Sequence, residues 1–552
     1  MREAALRRFP WWAWAGAGAA AVVIAGLFLC YLRLSQTYAD GSDGADQALQ
    51  AWDMLHGNWL LSGWTVGDVA YYTTEIPQYA LIELFRGLGP SVVHIAAAMT
   101  YTLLIVFVGL VARGQATGRD GVVRALVAIG ILLAPQLGNG IHLLLQQPDH
   151  LGTQVPLLAI LLFLDRAPRR WYVPVTVAVL LTWVLVSDRV AVFDAAAPLV
   201  VVCVIRALYA VARKHASLAS QWFELSLAAA GVVSFGASTL ITAAITRAGG
   251  YTGLPLKMVP TPLHLLSTHL VLALEGILNI YGADFLGVSR GNVLGPASGN
   301  LGTAVGVVIA LVHLVGIGLA IWGVGRALRR FFGDDLIASL LAAGIIINLA
   351  AYVFSIDPVT LFDTREILAL LPFGAVLAGR LLSGSLTRAR LEPALIAVLA
   401  CYVAALAYGV AQPAVSDNEQ PVIGWLEAHH LHTGLGTYTE ANIITLDSGG
   451  QVAIRTPTWR TTGAVPRAFE SKAPWYDPRV SYANFIISNT ADSNSGPTRG
   501  RDVSVVPMRD VLAFAGPPAV TYHYKTFTIM VWNKNLLADL GSPPSALPGN
   551  IP

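Results

Sequence analysis

Apolar and polar positions divide the chain into two regimes that change at about residue 412. Before it, apolar runs near the length needed to cross a bilayer recur at residues 11–32, 91–111, 122–137, 151–164, 173–186, 191–209, 223–245, 301–324, 336–354, 367–382 and 391–410. They predict about eleven membrane-spanning helices. The first follows Arg7 and Arg8 and lacks a small-residue cleavage site behind a short apolar core, so it reads as an uncleaved anchor. Between the first two runs, residues 35–90 form a polar segment with a short amphipathic helix over 45–56, apolar at Ala48, Leu49, Trp52 and Leu55. The connection over 246–300 is too long for a turn and contains a moderately apolar stretch with His264, His269, Glu275 and Asp284, which predicts a helix on the membrane surface. Its two histidines are five residues apart, a spacing that does not bring two metal ligands to one helix face.

Beyond residue 413 the pattern shortens into strand-like pieces at 442–446, 451–455, 485–488 and 522–532, with helical stretches at 422–430 and 503–514. The chain therefore divides into a membrane domain over 1–412, a small α/β domain over 413–540 and a Pro/Ser-rich, disordered tail over 541–552.

Composition agrees with the pattern: 55% of the 552 residues are hydrophobic and 12% charged, which fits a polytopic α-helical membrane protein and not a soluble enzyme. A net charge of +2, with no basic patch interleaved with aromatics, argues against nucleic acid as a partner. Cys30, Cys203 and Cys401 all fall inside apolar runs, so neither a disulfide framework nor a cysteine metal site is expected. Lys and Arg concentrate in every second connection, for example Arg166, Arg169 and Arg170, or Arg326, Arg329 and Arg330. The positive-inside rule then puts the N-terminus in the cytoplasm, and the 35–90 loop and the C-terminal domain outside, in a multi-pass protein of the cell membrane.

That orientation gathers the informative polar residues on one side. Asp40, Asp43 and Asp46 recur at three-residue spacing where a membrane run ends, so that they can converge on one ligand. Helix capping by Ser42 or Asp43, with Asp46 in the first turn, accounts for one or two of these carboxylates but poorly for three. The other outer loops bring Asp149 and His150, Asp188 and Arg189, and Asp357, Asp363, Arg365 and Glu366. Asp188 and Arg189 can equally form a local ion pair, and Asp149 can simply punctuate the loop beside Pro148. The aromatics Trp459, Trp475, Tyr476, Tyr482, Tyr522 and Tyr524 of the last domain read as core residues before they read as a sugar platform.

The run from Asp43 to Asn58 resembles the first extracytoplasmic loop of the GT-C glycosyltransferases that take a sugar from a polyprenyl phosphate, among them the protein O-mannosyltransferases and the lipid A aminoarabinose transferases. Asp43 falls on that group's acid, and Glu75-Ile76-Pro77-Gln78-Tyr79 stands where its Pro-Tyr segment would be. Pro148-Asp149-His150 resembles the acid at the start of the fourth helix, and Thr364-Arg365-Glu366-Ile367 with Leu371-Pro372 is similar to an Arg-Tyr-Leu-Pro motif. Gly44 departs from the Glu that follows the acid, and Glu366 and Ile367 depart from Tyr-Leu.

The resemblance implies a GT-C-like fold and an inverting transfer from a polyprenyl-phosphate sugar to a hydroxyl on a glycan, lipid or protein. Asp43 would be the general base, with Asp46 or Asp40 behind it, and Arg365 or Arg189 would stabilise the leaving phosphate. Asp149, His150, Asp188, Glu75 and Tyr79 would line the substrate cavity. No cofactor is required by such a reaction; the oligosaccharyltransferase branch implies instead a Mg or Mn ion held by Asp40, Asp43 and Asp149. A lipid or sugar transporter without catalysis is the alternative, although the charges lie at helix ends and no internal repeat is visible.

Overall fold

The computed structural model describes residues 11–254, 259–285, 300–356, 358–415, 419–460, 463–489 and 508–541. The membrane part runs through α1 (Trp11–Ser35), α2 (Ser42–Leu55), the short strand β1 (Trp64–Thr65), α3 (Glu75–Arg86), α4 (Ser91–Arg113), α5 (Gly118–Leu132), α6 (Asn139–Leu144), α7 (Asp149–Arg166) and α8 (Tyr172–Ser187). It continues with α9 (Ala197–Lys214), α10 (Trp222–Arg247), α11 (Leu266–Ile280), α12 (Asn300–Arg329), α13 (Leu336–Phe354), a 3₁₀ helix (Leu361–Ile367), α14 (Leu370–Arg388) and α15 (Glu392–Val410).

Among the described residues nine helices are long and apolar enough to cross a membrane. Eight coincide with expected runs. The ninth, Leu263–Ile280, is the stretch whose composition suggested a surface helix. The runs at 122–137 and 173–186 became α5 and α8, with 15 and 16 residues, which is short of the roughly 20 residues a crossing takes. The run at 151–164 became α7, which carries Asp149, Asp165 and Arg166 at its ends. Arg2, Arg7, Arg8 and Asp357, the residues 503–507 of an expected helix, and all of the expected tail but Gly541 lie outside the described residues.

Helix α14 is the centre of the membrane core. Leu370 to Gly379 are all buried, and the helix packs on α4, α5, α12 and α13, as expected of a segment apolar all round. Gly379 makes the closest of these approaches possible, because a Cβ there would collide with the Arg124 carbonyl oxygen on α5.

The C-terminal region follows with α16 (Gln420–Ala428), β2 (Thr433–Leu435), α17 (Tyr438–Asp447), β3 (Ala453–Arg455), β4 (Pro457–Arg460), β5 (Gly463–Pro466), β6 (Ser471–Lys472), β7 (Phe485–Asn489), α18 (Met508–Ala515), β8 (Val520–Tyr524) and β9 (Phe527–Val531). Its main sheet has the order β3-β2-β7-β9-β8, with β2 parallel to both its neighbours and β9 antiparallel to β7 and β8. Alternation along β7 sends Phe485 and Ile487 into one apolar layer and Ile486 into the other.

Two sequence expectations change here. Residues 442–446 are part of α17, not a strand: Ala441 and Ile444 are buried against the sheet, and the Thr445 hydroxyl accepts the Ile454 amide at 3.0 Å. Tertiary burial overrides the β preference of Ile443, Ile444 and Thr445. The stretch 522–532 is a hairpin and not one strand, turning at Lys525 with φ 53°.

The C-terminal region is fastened to the first loop. Strand β1 pairs antiparallel with β6, Trp64 facing Lys472, and α17 lies on α2. Asp53 of α2 accepts hydrogen bonds from Lys472 at 2.8 Å, Trp64 Nε1 at 2.8 Å and Asn58 at 2.6 Å. With α17 on one side and the membrane part on the other, α2 buries its polar residues Asp46, Gln47 and Gln50 as well as its apolar ones.

Candidate active site

The first turn of α2 begins without a side-chain cap. Gly41 is the extended N-cap residue, and the Ser42 hydroxyl donates instead to the carbonyl oxygens of Tyr438 at 2.7 Å and Thr439 at 2.9 Å. The capping explanation for Ser42 and Asp43 therefore does not hold, and Asp43 is turned to a different task. Its Oδ2 accepts a hydrogen bond from the Arg365 guanidinium at 2.8 Å, and its Oδ1 accepts one from the Tyr438 hydroxyl at 2.5 Å.

Arg365 owes its position to Asp363. The Asp363 carboxylate accepts the amides of Val359 at 2.8 Å and Thr360 at 2.7 Å, closing a capping box that starts the 3₁₀ helix. The guanidinium then lies 4.2 Å over the Phe362 ring and reaches Asp149 at 3.6 Å as well as Asp43. Burial works against its charge, but Asp43 and Asp149 outweigh burial and raise the Arg365 pKa.

Asp149 opens α7 with φ 38°, a left-handed conformation that a non-glycine residue adopts only at a cost of about 1–3 kcal/mol. It is held there by Gln147 at 2.6 Å and Gln47 at 3.2 Å. Gln147 also accepts the Gly44 amide at 2.9 Å, and a Cβ on residue 44 would press on Gln147 and Val93. The glycine that departs from the expected Asp-Glu pair is thus what lets α2 approach the Asp149 loop.

The other two carboxylates of the triplet diverge. Asp46, only 1% exposed, accepts from Gln50 at 2.5 Å, and burial pushes its pKa up to about 8. Asp40 pairs with His94 of α4 at 3.0 Å, and His94 is braced by Ser35 at 2.7 Å. Asp43 and Arg365 each keep 22% of their side chain exposed, so of the three acids it is Asp43 that stays partly accessible beside a guanidinium.

A second polar cluster lies behind Asp149. His150 contacts Asp188 at 2.8 Å, and Asp188 also accepts from Thr153 at 2.8 Å and the Val190 amide at 2.8 Å. The local Asp188–Arg189 ion pair that the sequence allowed does not form, since Asp188 turns inward to His150 and Arg189 stays exposed. Glu75 enters beside them, hydrogen-bonded to Thr74 and 3.4 Å from Thr153 and Ser187, and burial pushes its carboxyl up to about 8. Gly152 leaves the room for it, because a Cβ there would overlap the Glu75 carboxyl. Tyr79 is fully buried, and its hydroxyl has no hydrogen-bond partner among the described residues.

The residues that reading the sequence missed come from the C-terminal region. Tyr438, at the start of α17, hydrogen-bonds Asp43 and also Glu470, and Arg467 stacks over its ring at 4.2 Å. A phenol has one proton, so of its two carboxyl neighbours one must bring its own. That one is Glu470, whose pKa is raised by burial and by Asp43 and Asp46. Of the aromatics weighed as a sugar platform, Tyr476 is a core residue donating to the Thr456 carbonyl at 2.6 Å, and Trp475 packs edge-on against Trp64.

A divalent ion does not fit Asp40, Asp43 and Asp149. Asp40 is drawn to His94, and the Arg365 guanidinium already stands between the other two, where a cation would be repelled. Among the described residues no other group of three or more His, Cys, Asp or Glu side chains is placed to hold a metal. His269, one of the two histidines in the long connection, is buried and lies 3.2 Å from the Val353 carbonyl.

No protein-family model matches the chain, and no curated protein matches it in sequence. Among solved structures it is similar to ArnT from Cupriavidus metallidurans in the apo state, with a TM-score of 0.52, 12% identity, and coverage of 96% of this chain and 99% of that one. It also matches the Archaeoglobus fulgidus oligosaccharyltransferase in complex with Zn and sulfate, with a TM-score of 0.49, 12% identity, and coverage of 85% of this chain and 68% of that one. The likeness to ArnT runs over nearly the whole of both chains, and this protein has the GT-C fold: a multi-pass helical membrane part with a C-terminal α/β region.

Proposed function

We propose that this protein is a membrane glycosyltransferase that moves a sugar from a polyprenyl-phosphate donor to an acceptor hydroxyl on the extracytoplasmic side, with Asp43 as general base. The contact that carries the reading is the 2.8 Å pair between the partly exposed Asp43 and Arg365. It joins a group able to take a proton to a group able to hold a phosphate.

The donor phosphate competes with Asp43 and Asp149 for the Arg365 guanidinium, whose five N–H donors suit a phosphate better than an ammonium would. Once Arg365 turns to the donor, Asp43 is free to accept the proton of the acceptor hydroxyl. The acceptor oxygen forms its bond to the anomeric carbon as the bond from that carbon to the phosphate oxygen breaks, with inversion. Polyprenyl phosphate leaves with its charge against Arg365. Asp46 is the poorer base because, with a pKa of about 8, it already holds a proton at neutral pH. The likeness to ArnT over nearly the whole of both chains supports the reading, in which the acceptor is a hydroxyl of a glycan, lipid or protein.

Mass spectrometry of a strain lacking the protein tests this reading. Accumulated polyprenyl-phosphate sugar together with a glycoconjugate lacking one sugar is the expected result, and unchanged lipids and glycans would contradict it.

A further inference from the structure

We propose that a second, separate site at the opposite end of α14 binds the oxyanion of a phosphate ester. The cavity there measures about 610 Å³ and is walled by α5, the C-terminal ends of α12 and α14, and the turn into α13. It lies at the Arg388 end of α14, whereas Arg365 precedes the other end. A helix of that length separates them by roughly 28 Å at about 1.5 Å per residue.

Five arginines line it: Arg124, Arg326, Arg330, Arg380 and Arg388. Two are neutralised within the protein. Arg380 pairs with Asp165 at 2.5 Å and Asp335 at 2.7 Å, and Arg124 pairs with Asp120 at 2.8 Å. Arg326, Arg330 and Arg388 make no ion pair among the described residues, and the Nε of Arg326 is buried without a hydrogen-bond partner. Arg330, Arg388 and Arg329 are all close enough to repel Arg326. The remaining acid of the lining, Asp334, is exposed, so Arg326, Arg330 and Arg388 face the cavity with an excess of positive charge.

Guanidinium groups gathered in this way around an empty volume are stabilised by an anion between them, and a phosphate with several acceptor oxygens can serve all three. Leu328 and Phe332, both apolar and exposed, adjoin the arginines. A lipid phosphodiester could rest its head group in the cavity with its chains along that surface, and a soluble phosphate ester would satisfy the same arginines.

The test uses the full-length protein in nanodiscs of phosphatidylcholine, with or without equimolar phosphatidylglycerol, and a parallel titration with inorganic phosphate. Retained lipid is counted by native mass spectrometry, and phosphate binding is read from the melting temperature. Wild type is expected to retain phosphatidylglycerol over phosphatidylcholine, to be stabilised by phosphate, or both. The first result alone identifies a lipid head group, and the second alone a soluble ester. Arg326→Gln, Arg330→Gln and Arg388→Gln should each weaken the effect about fivefold, while Arg170→Gln, at an exposed arginine of the connection between α7 and α8 outside the cavity lining, should leave it unchanged. Wild type that binds neither probe would overturn the site, as would an Arg170→Gln variant that loses as much as Arg326→Gln.

Discussion

Asp43 is held from two sides by regions that differ in kind. From the membrane part comes Arg365, a fixed positive charge on a 3₁₀ helix, which Asp43 shares with Asp149. From the C-terminal region comes Tyr438, a neutral donor backed by a carboxyl whose pKa is raised. One side supplies charge that a phosphate can take over; the other supplies a hydrogen bond that stays in place when it does. The two sides should therefore fail differently when removed.

Removing what both sides hold has the largest effect. Asp43→Asn is expected to lower turnover by about two to four orders of magnitude, the usual contribution of a general base, with folding retained. Next comes the charged side: Arg365→Ala should cost about two to three orders of magnitude and raise the donor KM, while Arg365→Lys recovers only part, because one ammonium replaces a planar fork. A donor KM unchanged by Arg365→Ala would break the comparison, since the charge would then have no phosphate to hold. Tyr438→Phe removes one hydrogen bond to a carboxylate, worth about 1.5–3 kcal/mol, so kcat should fall about ten- to a hundredfold with the donor KM unmoved. If Tyr438→Phe instead shifts KM and spares kcat, the C-terminal side binds substrate rather than poising the base.

The smallest effect on activity is expected at Asp46. Because its carboxyl is already protonated at neutral pH, Asp46→Asn should keep turnover within about twofold. Its mark is on stability. Below about pH 4 the group is protonated whether the chain is folded or unfolded, and between about 4 and 8 only the unfolded chain ionises it, so wild type loses stability as pH rises through that window. Melting curves across it should show Asp46→Asn gaining on wild type as pH rises, and parallel curves would remove the proton from Asp46.

The same contrast explains what could be seen in the sequence. The spans and the acid-rich first loop stand out because each makes a pattern, apolar runs of bilayer length and acids at a membrane boundary, whereas Arg365 and Asp149 stand out through the resemblance to GT-C transferases. The structure brings Asp43, Asp149 and Arg365 together. Tyr438 and Glu470 were not legible. Tyr438 precedes a β-branched stretch that reads as a strand, and it reaches Asp43 because Trp64 and Thr65 pair with Lys472 and Ser471, a register set some four hundred residues apart in sequence. Local spacing also leaves partners undecided: Asp188 has Arg189 next to it but takes His150, and Asp40 and Asp46 share a spacing with Asp43 without sharing its partner. Spacing predicts which residues lie near one helix face; neighbouring elements decide where each side chain goes.

Donor binding and single-turnover transfer measured on the same purified Asp43→Asn protein, supplied with the polyprenyl-phosphate sugar that accumulates in the deletion strain, probe the role of Asp43 most directly. A general base at Asp43 predicts that the lipid still binds while transfer falls at least about a hundredfold. Transfer at the wild-type rate would contradict it.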